Sequence, residues 1–356
     1  MCQVAAVPFW SLPSLPRSLP AALRDLDETS PVVRASAARD LVRYHDAPER
    51  PAIVESLLRR LEDETPRVRA AAAETLGELA DSAAVMRLLL AIEDDHPLVR
   101  QMAIQALGQI GDRRAAPRLH RALADARPDV RFQAVLAYPK LVREDAETVM
   151  LAATEDPDGD VRYVALRLLE ERALARGDEA LSPSVRATAR ARVFDDLPGV
   201  RVAAALLLAH GGDLTGAAVI VDVVAGTFDA KEPDDEAAAV EAAGRWELRD
   251  ATSALVQRVY GPRRWLREQH SFLARISLAQ LGDERARTEI LRDLRAWSRS
   301  KRTLAVLAAG RARLHAARPL LTALMAAPEQ VDPAAVAAAL RALDGGDVRD
   351  VCKDLP

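Results

Sequence analysis

Apolar and polar positions recur along the chain in a fixed pattern, which reads most clearly as Asp63-Glu64-Thr65-Pro66-Arg67-Val68-Arg69 and on through Ala72 to Leu76 and Gly77. The Val-Arg pair returns as Val33-Arg34, Val68-Arg69, Val99-Arg100, Val130-Arg131, Val161-Arg162 and Val200-Arg201. Three residues beyond the arginine slot an alanine returns ten times: Ala37, Ala72, Ala103, Ala134, Ala165, Ala204, Ala239, Ala274, Ala305 and Ala339. A period of roughly 31 to 39 residues marks a stacked repeat. In the last four copies the pattern decays, and the arginine slot holds Glu236, Ser271, Arg302 and Val336.

Each copy predicts two helices. Upstream of the Asp-x-x-Pro turn, residues such as Ile53, Leu57, Leu58 and Leu61 fall at helical intervals. The turn proline suits the first position of a second helix, where its missing N–H has no partner to lose. Gly111-Asp112, Gly212-Asp213 and Gly282-Asp283 supply a left-handed stop followed by a cap for the next helix. At about 100° per residue, the Val, Ala and Leu slots share one sector of the second helix, the sector that meets its partner. The alanine slot lies near the centre of that sector, where a longer side chain would hold the two backbones apart.

The pattern Asp-x-x-Pro-x-Val-Arg-x-x-Ala-x-x-x-Leu resembles the HEAT-repeat superfamily, in particular the short HEAT-like repeats named after phycobilin lyase subunits. The resemblance covers roughly residues 21 to 350. It implies an all-α fold, an α-solenoid wound as a right-handed superhelix of about ten stacked helix pairs. It divides the chain into a Pro-rich N-terminal tail or cap at 1–20, regular repeats at 21–215 and degenerate repeats at 216–356. It also implies a ladder between neighbouring repeats, with Asp63, Asp94, Asp125, Asp156 and Asp195 pairing with Arg69, Arg100, Arg131, Arg162 and Arg201. Two longer connections interrupt the array, Leu174 to Pro183 and Gly226 to Asp234, and read as surface loops or hinges.

Composition agrees with closely packed helices: 49% of residues are hydrophobic but only 4% aromatic, so the core is built from Ala, Leu and Val. Of 49 basic residues only Lys140, Lys231, Lys301 and Lys353 are lysines, a bias that points to a GC-rich bacterial genome. No stretch reads as a signal peptide or reaches the roughly 20 apolar residues of a membrane span. Cys2 and Cys352 stand at opposite ends of the array and fit a reducing cytoplasm.

Catalytic and metal motifs are missing. There is no phosphate-cradling Gly-x-x-x-x-Gly-Lys loop, nucleophile elbow, Cys-x-x-Cys pair or His-Glu-x-x-His helix. HEAT enzymes resembling deoxyhypusine hydroxylase use His-Glu pairs, and none of the six histidines here precedes a glutamate. His96 fills a variable turn position beside Asp94-Asp95. His270 takes a valine slot, and reads as a buried histidine bonded to the backbone or as the mark of a shifted helix. No catalytic residue, metal or cofactor is expected.

A surface row carries the functional expectation. One residue beyond the arginine slot the chain reads Ala35, Ala70, Gln101, Phe132, Tyr163, Val202, Ala237, Phe272, Thr303 and Ala337, so three of its nine Phe and Tyr residues share this slot. Four residues further lie Arg39, Glu74, Gln105, Leu136, Arg167 and Leu206, with Met102 and Gln133 beside them. By angle both rows face away from the partner helix. In HEAT-like arrays this is the concave wall, and its aromatic, Met and Gln side chains suit a partner helix or extended peptide. The expected contacts are Gln101, Met102, Gln105, Phe132, Gln133, Leu136, Tyr163, Arg167, Val202 and Phe272. Replacing Phe132 and Tyr163 with Ala is then expected to abolish capture without loss of stability.

Charge supplies the alternative. From Arg258 to Arg318 there are fifteen basic and five acidic residues, a net of +10 within a chain of net charge −4. Arg263, Arg264, Trp265 and Arg267, with Trp297, Arg299, Lys301 and Arg302, form a candidate patch for an acidic protein or for nucleic acid. The HEAT-like DNA glycosylases acting on alkylated purines are similar in spirit, though no catalytic Asp or DNA-stacking Trp aligns. Head-to-tail association of the acidic and basic halves is a third possibility.

Overall fold

The computed structural model describes residues 17–176, 181–262 and 270–346. Among the described residues there are ten helix pairs and no strand. The chain forms two compact units, 1–168 and 169–356, with the division falling inside one helix.

In the first unit the first helices of each pair are α1 (Leu19–Asp25), α3 (Arg50–Arg60), α5 (Val85–Ala91), α7 (Ala116–Ala122) and α9 (Ala146–Ala153). Their second helices are α2 (Pro31–Asp40), α4 (Pro66–Glu78), α6 (Pro97–Ile110), α8 (Pro128–Leu141) and α10 (Gly159–Arg176), the last crossing the division. In the second unit the first helices are α11 (Pro183–Arg192), α13 (Ala217–Ala225), α15 (Thr252–Tyr260), α17 (Glu284–Asp293) and α19 (Arg318–Met325). Their partners are α12 (Pro198–His210), α14 (Pro233–Arg245), α16 (Ser271–Gln280), α18 (Arg299–Arg311) and α20 (Pro333–Leu343). This is the all-α solenoid of ten pairs that the register predicts.

Helix boundaries follow the predicted punctuation. In α6, His96 caps the first turn with its ring nitrogen accepting from the Leu98 amide at 3.2 Å, so this histidine belongs to the turn. Pro97 follows, and Gly111 ends the helix at φ +75°. Asp112, Asp213 and Asp283 then accept the amides of Arg114, Thr215 and Ala286. Gly212 and Gly282 hold the same left-handed stop as Gly111, at φ +71° and +91°. Where the stop falls on Ala80, Glu247 or Arg313 the residue still adopts φ near +50°, at a cost of about 1 kcal/mol each relative to glycine. The connection expected from Leu174 is helical to Arg176, and Ser182 caps α11; the second connection opens on Gly226 at φ +71°.

All ten slot alanines are buried, none exposing more than 1% of its surface. Second helices also pack on their successors, α2 on α4, α4 on α6 and α6 on α8 in the first unit, α12 on α14 and α14 on α16 in the second. Glycine permits the closest approach. A Cβ on Gly77 would stand 2.6 Å from Ala106 Cα, and one on Gly108 would stand 2.7 Å from Ala137 Cβ, inside ordinary contact distance. Beside these pinches buried hydroxyls tie neighbours together: Thr75 donates to the Ala38 carbonyl at 3.1 Å and Ser277 to the Val240 carbonyl at 2.7 Å.

The arginine ladder is real but staggered. Each arginine donates to the backbone carbonyl of its own turn, as Arg69 does to Asp63 O at 3.0 Å, and reaches forward to the carboxylate of the next turn. Arg34 grips Asp63, Arg69 grips Asp94, Arg100 grips Asp125 and Arg131 grips Asp156, each through Nε and Nη2 at 2.7–3.1 Å. Side-chain partners therefore differ by one copy from pairs within a copy, and the series starts at Arg34. The reason is geometric: the short turn already presents its own carbonyls to the guanidinium, leaving the fork free edge to meet the following repeat bidentately.

Where the register decays, the rungs are rebuilt. Glu236 stands in the arginine slot, and its carboxylate meets Arg258 at 2.7 Å, inverting the polarity. Arg258 is buried and also donates to the carbonyls of Val223 and Val224. His270 is buried at the N-cap of α16, with Nδ1 3.7 Å from Glu236. Its helix starts late relative to the regular copies, so His270 belongs to a shifted helix start. At the chain's beginning, Arg17 pairs with Asp25 and Asp40 and fixes the entry to α1, while residues 1–16 of the expected tail or cap lie outside the described residues.

Candidate functional site

The slots one, five and nine residues beyond the arginine slot fall on one flank of each second helix. In the first unit this strip carries Gln101, Met102 and Gln105 on α6, Phe132, Gln133 and Leu136 on α8, and Tyr163 and Arg167 on α10, all of them half-buried. Phe132 and Leu136 rest against Val135, Val161, Val164 and Ala165. The aromatic side chain is thus seated in the seam between α8 and α10, with one side covered by the next second helix. Truncating it removes packing as well as surface, so the expectation of unchanged stability is corrected. Gln101, Gln105 and Gln133 make no side-chain hydrogen bond among the described residues, and their amides each offer donors and an acceptor.

Other members of the row are covered. Ala35, Ala70 and Val202 expose 1–2% of their surface, and Leu206 is buried as well. Val202 therefore leaves the set of surface contacts: it lies in the core of the second unit, where α12 packs on α14. Phe272 is half-buried against Leu307, Ala338 and Ala342. Arg39 and Glu74 form an ion pair at 2.8 Å between α2 and α4.

The basic stretch is largely neutralised by structure. Arg258 holds Glu236, Arg275 pairs with Asp293 at 3.2 Å, Arg285 lies over the Tyr260 ring at 3.7 Å, and Arg311 meets Glu241 at 2.7 Å. Arg302 does not belong to an anion patch. It donates to the carbonyls of Ala296, Trp297 and Gln330, the structural role its slot has in every regular copy. Burial, ahead of the neighbouring carboxylate of Glu289, pushes the Tyr260 phenol up to about 12. Of the candidate patch, Trp297 is 97% exposed, with Arg299 and Lys301 exposed beside it; Arg263, Arg264, Trp265 and Arg267 lie outside the described residues.

A further feature was missed in the sequence. In the second unit a cavity of about 740 Å³ opens at the C-terminal ends of the second helices. Nine residues beyond the arginine slot, five successive copies contribute His210, Arg245, Gln280, Arg311 and Gly345 to its lining. Trp246, Glu247 and Arg313 complete the polar wall. The register held a signal for it: the same slot reads Arg43, Glu78, Gln109, Lys140 and Glu171 in the first five copies, and loses all acid in the last five. Among the described residues no His, Cys, Asp and Glu group is arranged to hold a metal, and no helix is long and apolar enough to cross a membrane.

Comparison with known proteins follows this geometry. HEAT repeats match residues 17–91 and 85–170. No curated protein matches the chain at the sequence level. Among solved structures, YibA of Escherichia coli is similar over 74% of this chain and 92% of its own, at 18% identity and TM-score 0.53. The CpcE–CpcF complex of phycocyanin lyase from a Nostoc species is similar over 70% of this chain and 97% of that one, at 22% identity and TM-score 0.44. Human deoxyhypusine hydroxylase in complex with glycerol matches 74% of this chain and 96% of its own, at 18% identity and TM-score 0.32. HEAT repeats thus occupy residues 17–170, and helix pairs in the same register continue beyond them.

Proposed function

We propose that this chain is a non-catalytic scaffold or adaptor that takes another protein, as a helix or an extended peptide, along the exposed flank of its second helices. The observation that carries the reading is the strip on α6 and α8, where the free amides of Gln101, Gln105 and Gln133 alternate with half-buried Met102, Phe132 and Leu136. Apolar knobs that are partly seated lose little conformational freedom on contact, and unpaired amides beside them can satisfy a partner's backbone. Tyr163, Arg167 and, in the second unit, Phe272 extend the same slot. The buried charges described above are tied into rungs between repeats, a use in stacking. Arginine bias and the use of only two cysteines, near opposite ends of the sequence, support a bacterial cytoplasm.

The test is site-specific photo-crosslinking in cells, with the crosslinker at position 105 or 133 on the strip and at position 121 on the exposed side of α7. One shared partner captured from 105 and 133 and absent from 121 is expected; equal capture from 121 would remove the strip from the reading. A second reading, nucleic-acid contact, draws on the fully exposed Trp297 flanked by Arg295, Arg299 and Lys301. It requires binding to single-stranded or duplex DNA at low ionic strength that weakens as salt rises, and no such binding would dismiss it.

A further inference from the structure

The cavity of the second unit is built from one register slot used five times, and its lining is weighted toward positive charge, with Arg245, Arg311 and Arg313 against Glu247. Arg311 is held by Glu241, and Arg313 touches the Gly346 carbonyl at 3.4 Å. Arg245 is exposed and makes no hydrogen bond or ion pair among the described residues.

Backbone strain falls at the same place. Two residues beyond the cavity slot lies the left-handed stop, which Gly212 and Gly282 fill without penalty. Glu247 and Arg313 occupy this stop at φ +50° and +47°, as Ala80 does in the first unit, so both side chains are held at a position where glycine would be less strained. Both line the cavity.

The rim also limits the ligand. The helix ends here are capped, with the Leu248 and Glu247 amides on the Ala243 and Gly244 carbonyls and the Gln280 side-chain amide on the Arg311 carbonyl, so the guanidiniums are the groups that draw a ligand. Inorganic phosphate would meet the arginines alone. A peptide with acidic side chains brings carboxylates for the arginines and apolar stems for the indole face of Trp246 beside them.

We propose that this cavity binds an acidic peptide segment of a partner protein, with Arg245 and Arg313 taking its carboxylates. The inference concerns the second unit alone and does not depend on the strip between α6 and α8.

The experiment uses the full chain and a fluorescein-labelled hexaglutamate peptide, followed by fluorescence polarisation at low salt. Binding is expected, and Arg245→Glu and Arg313→Gly are each expected to weaken it at least tenfold, while Arg299→Glu on the exposed patch leaves it unchanged. Arg313→Gly carries a second readout: relief of the strained stop raises the melting temperature by about 2 °C as affinity falls. A residue serving only the fold would lose stability instead. No binding by the unmodified chain, unchanged affinity in both cavity variants, or loss of affinity only with Arg299→Glu would each overturn the proposal. Inorganic phosphate or an oligothymidine competing as well as unlabelled hexaglutamate would overturn the acidic-peptide assignment.

Discussion

Replacing Asp63 with Ala removes the most buried of the four bidentate rungs described above. The guanidinium of Arg34 is 8% exposed and the Asp63 carboxylate 4%. The pair is bidentate at 2.9 Å on both branches, and the carboxylate also accepts the Thr65 amide at 3.0 Å. Loss of the acid leaves Arg34 with its two carbonyl contacts to Glu28 and Thr29 and a weak 3.3 Å approach from the exposed Glu64. Stranding one member of a buried pair costs about 3–5 kcal/mol, and Glu64 replaces part of the lost contact, so a destabilisation of about 3 kcal/mol is expected. Burial pushes the Asp63 carboxyl up, but the Arg34 guanidinium and the Thr65 amide together outweigh it and hold the group below the usual carboxylate range. A lowered folded value means that the rung's contribution is complete above the unfolded carboxylate pKa of about 3.9 and is lost as pH falls through the folded value. The assay is urea unfolding followed by circular dichroism on the parent, Asp63→Ala, Arg34→Met and the double variant. Hydrogen exchange across α2 to α4 locates the change, since repeat arrays need not unfold in one step. A coupling energy below about 0.5 kcal/mol at pH 7, or a difference between parent and Asp63→Ala that persists undiminished at pH 2, would refute the reasoning.

Two further outcomes follow from the packing. Ala134→Leu places a branched side chain at a fully buried slot and is expected to cost about 2 kcal/mol, so an unchanged melting temperature would contradict the packing of that helix pair. Glu236→Arg sets a second guanidinium, at a half-buried position, against the buried Arg258 and His270; a loss of roughly 2 kcal/mol should show as faster hydrogen exchange confined to α14–α16, and unaltered exchange there would argue against the inverted rung.

Much of the fold was legible in the sequence because a single small residue at a fixed period reports a close approach directly. Ala37 to Ala339 predicted ten buried positions and all ten are buried. The stagger of the ladder was not legible. Copies two to six have the same six-residue spacing from Asp to Arg, so a pair within a copy and a pair between copies leave the same trace in the sequence. The surface rows were half legible: helical angle places a residue relative to its own hairpin, but coverage by the next hairpin is a property of stacking. Ala70 and Val202 face away from their partner helices and are buried all the same. Arg302 looked like a free cation because the carbonyls that bind it are backbone atoms, which no residue count reveals. The cavity slot, nine residues past the arginine, was hidden because only the comparison of early with late copies shows the loss of acid.

The forward reach of each guanidinium also bears on how arrays of this kind change length. Excising the stretch from Asp94 through Ala124 would bring Arg69 face to face with Asp125, an acid already shaped to receive it, and the Ala126-Arg127-Pro128 step that follows Asp125 resumes the same turn. One module can therefore be lost or duplicated without leaving an orphaned charge at the join, so the regular half of this chain is open to growth and shrinkage by whole units. The inverted rung at Glu236 has no such freedom, since its acid fits only the arginine that follows it. That pair marks a point where the modules have ceased to be interchangeable.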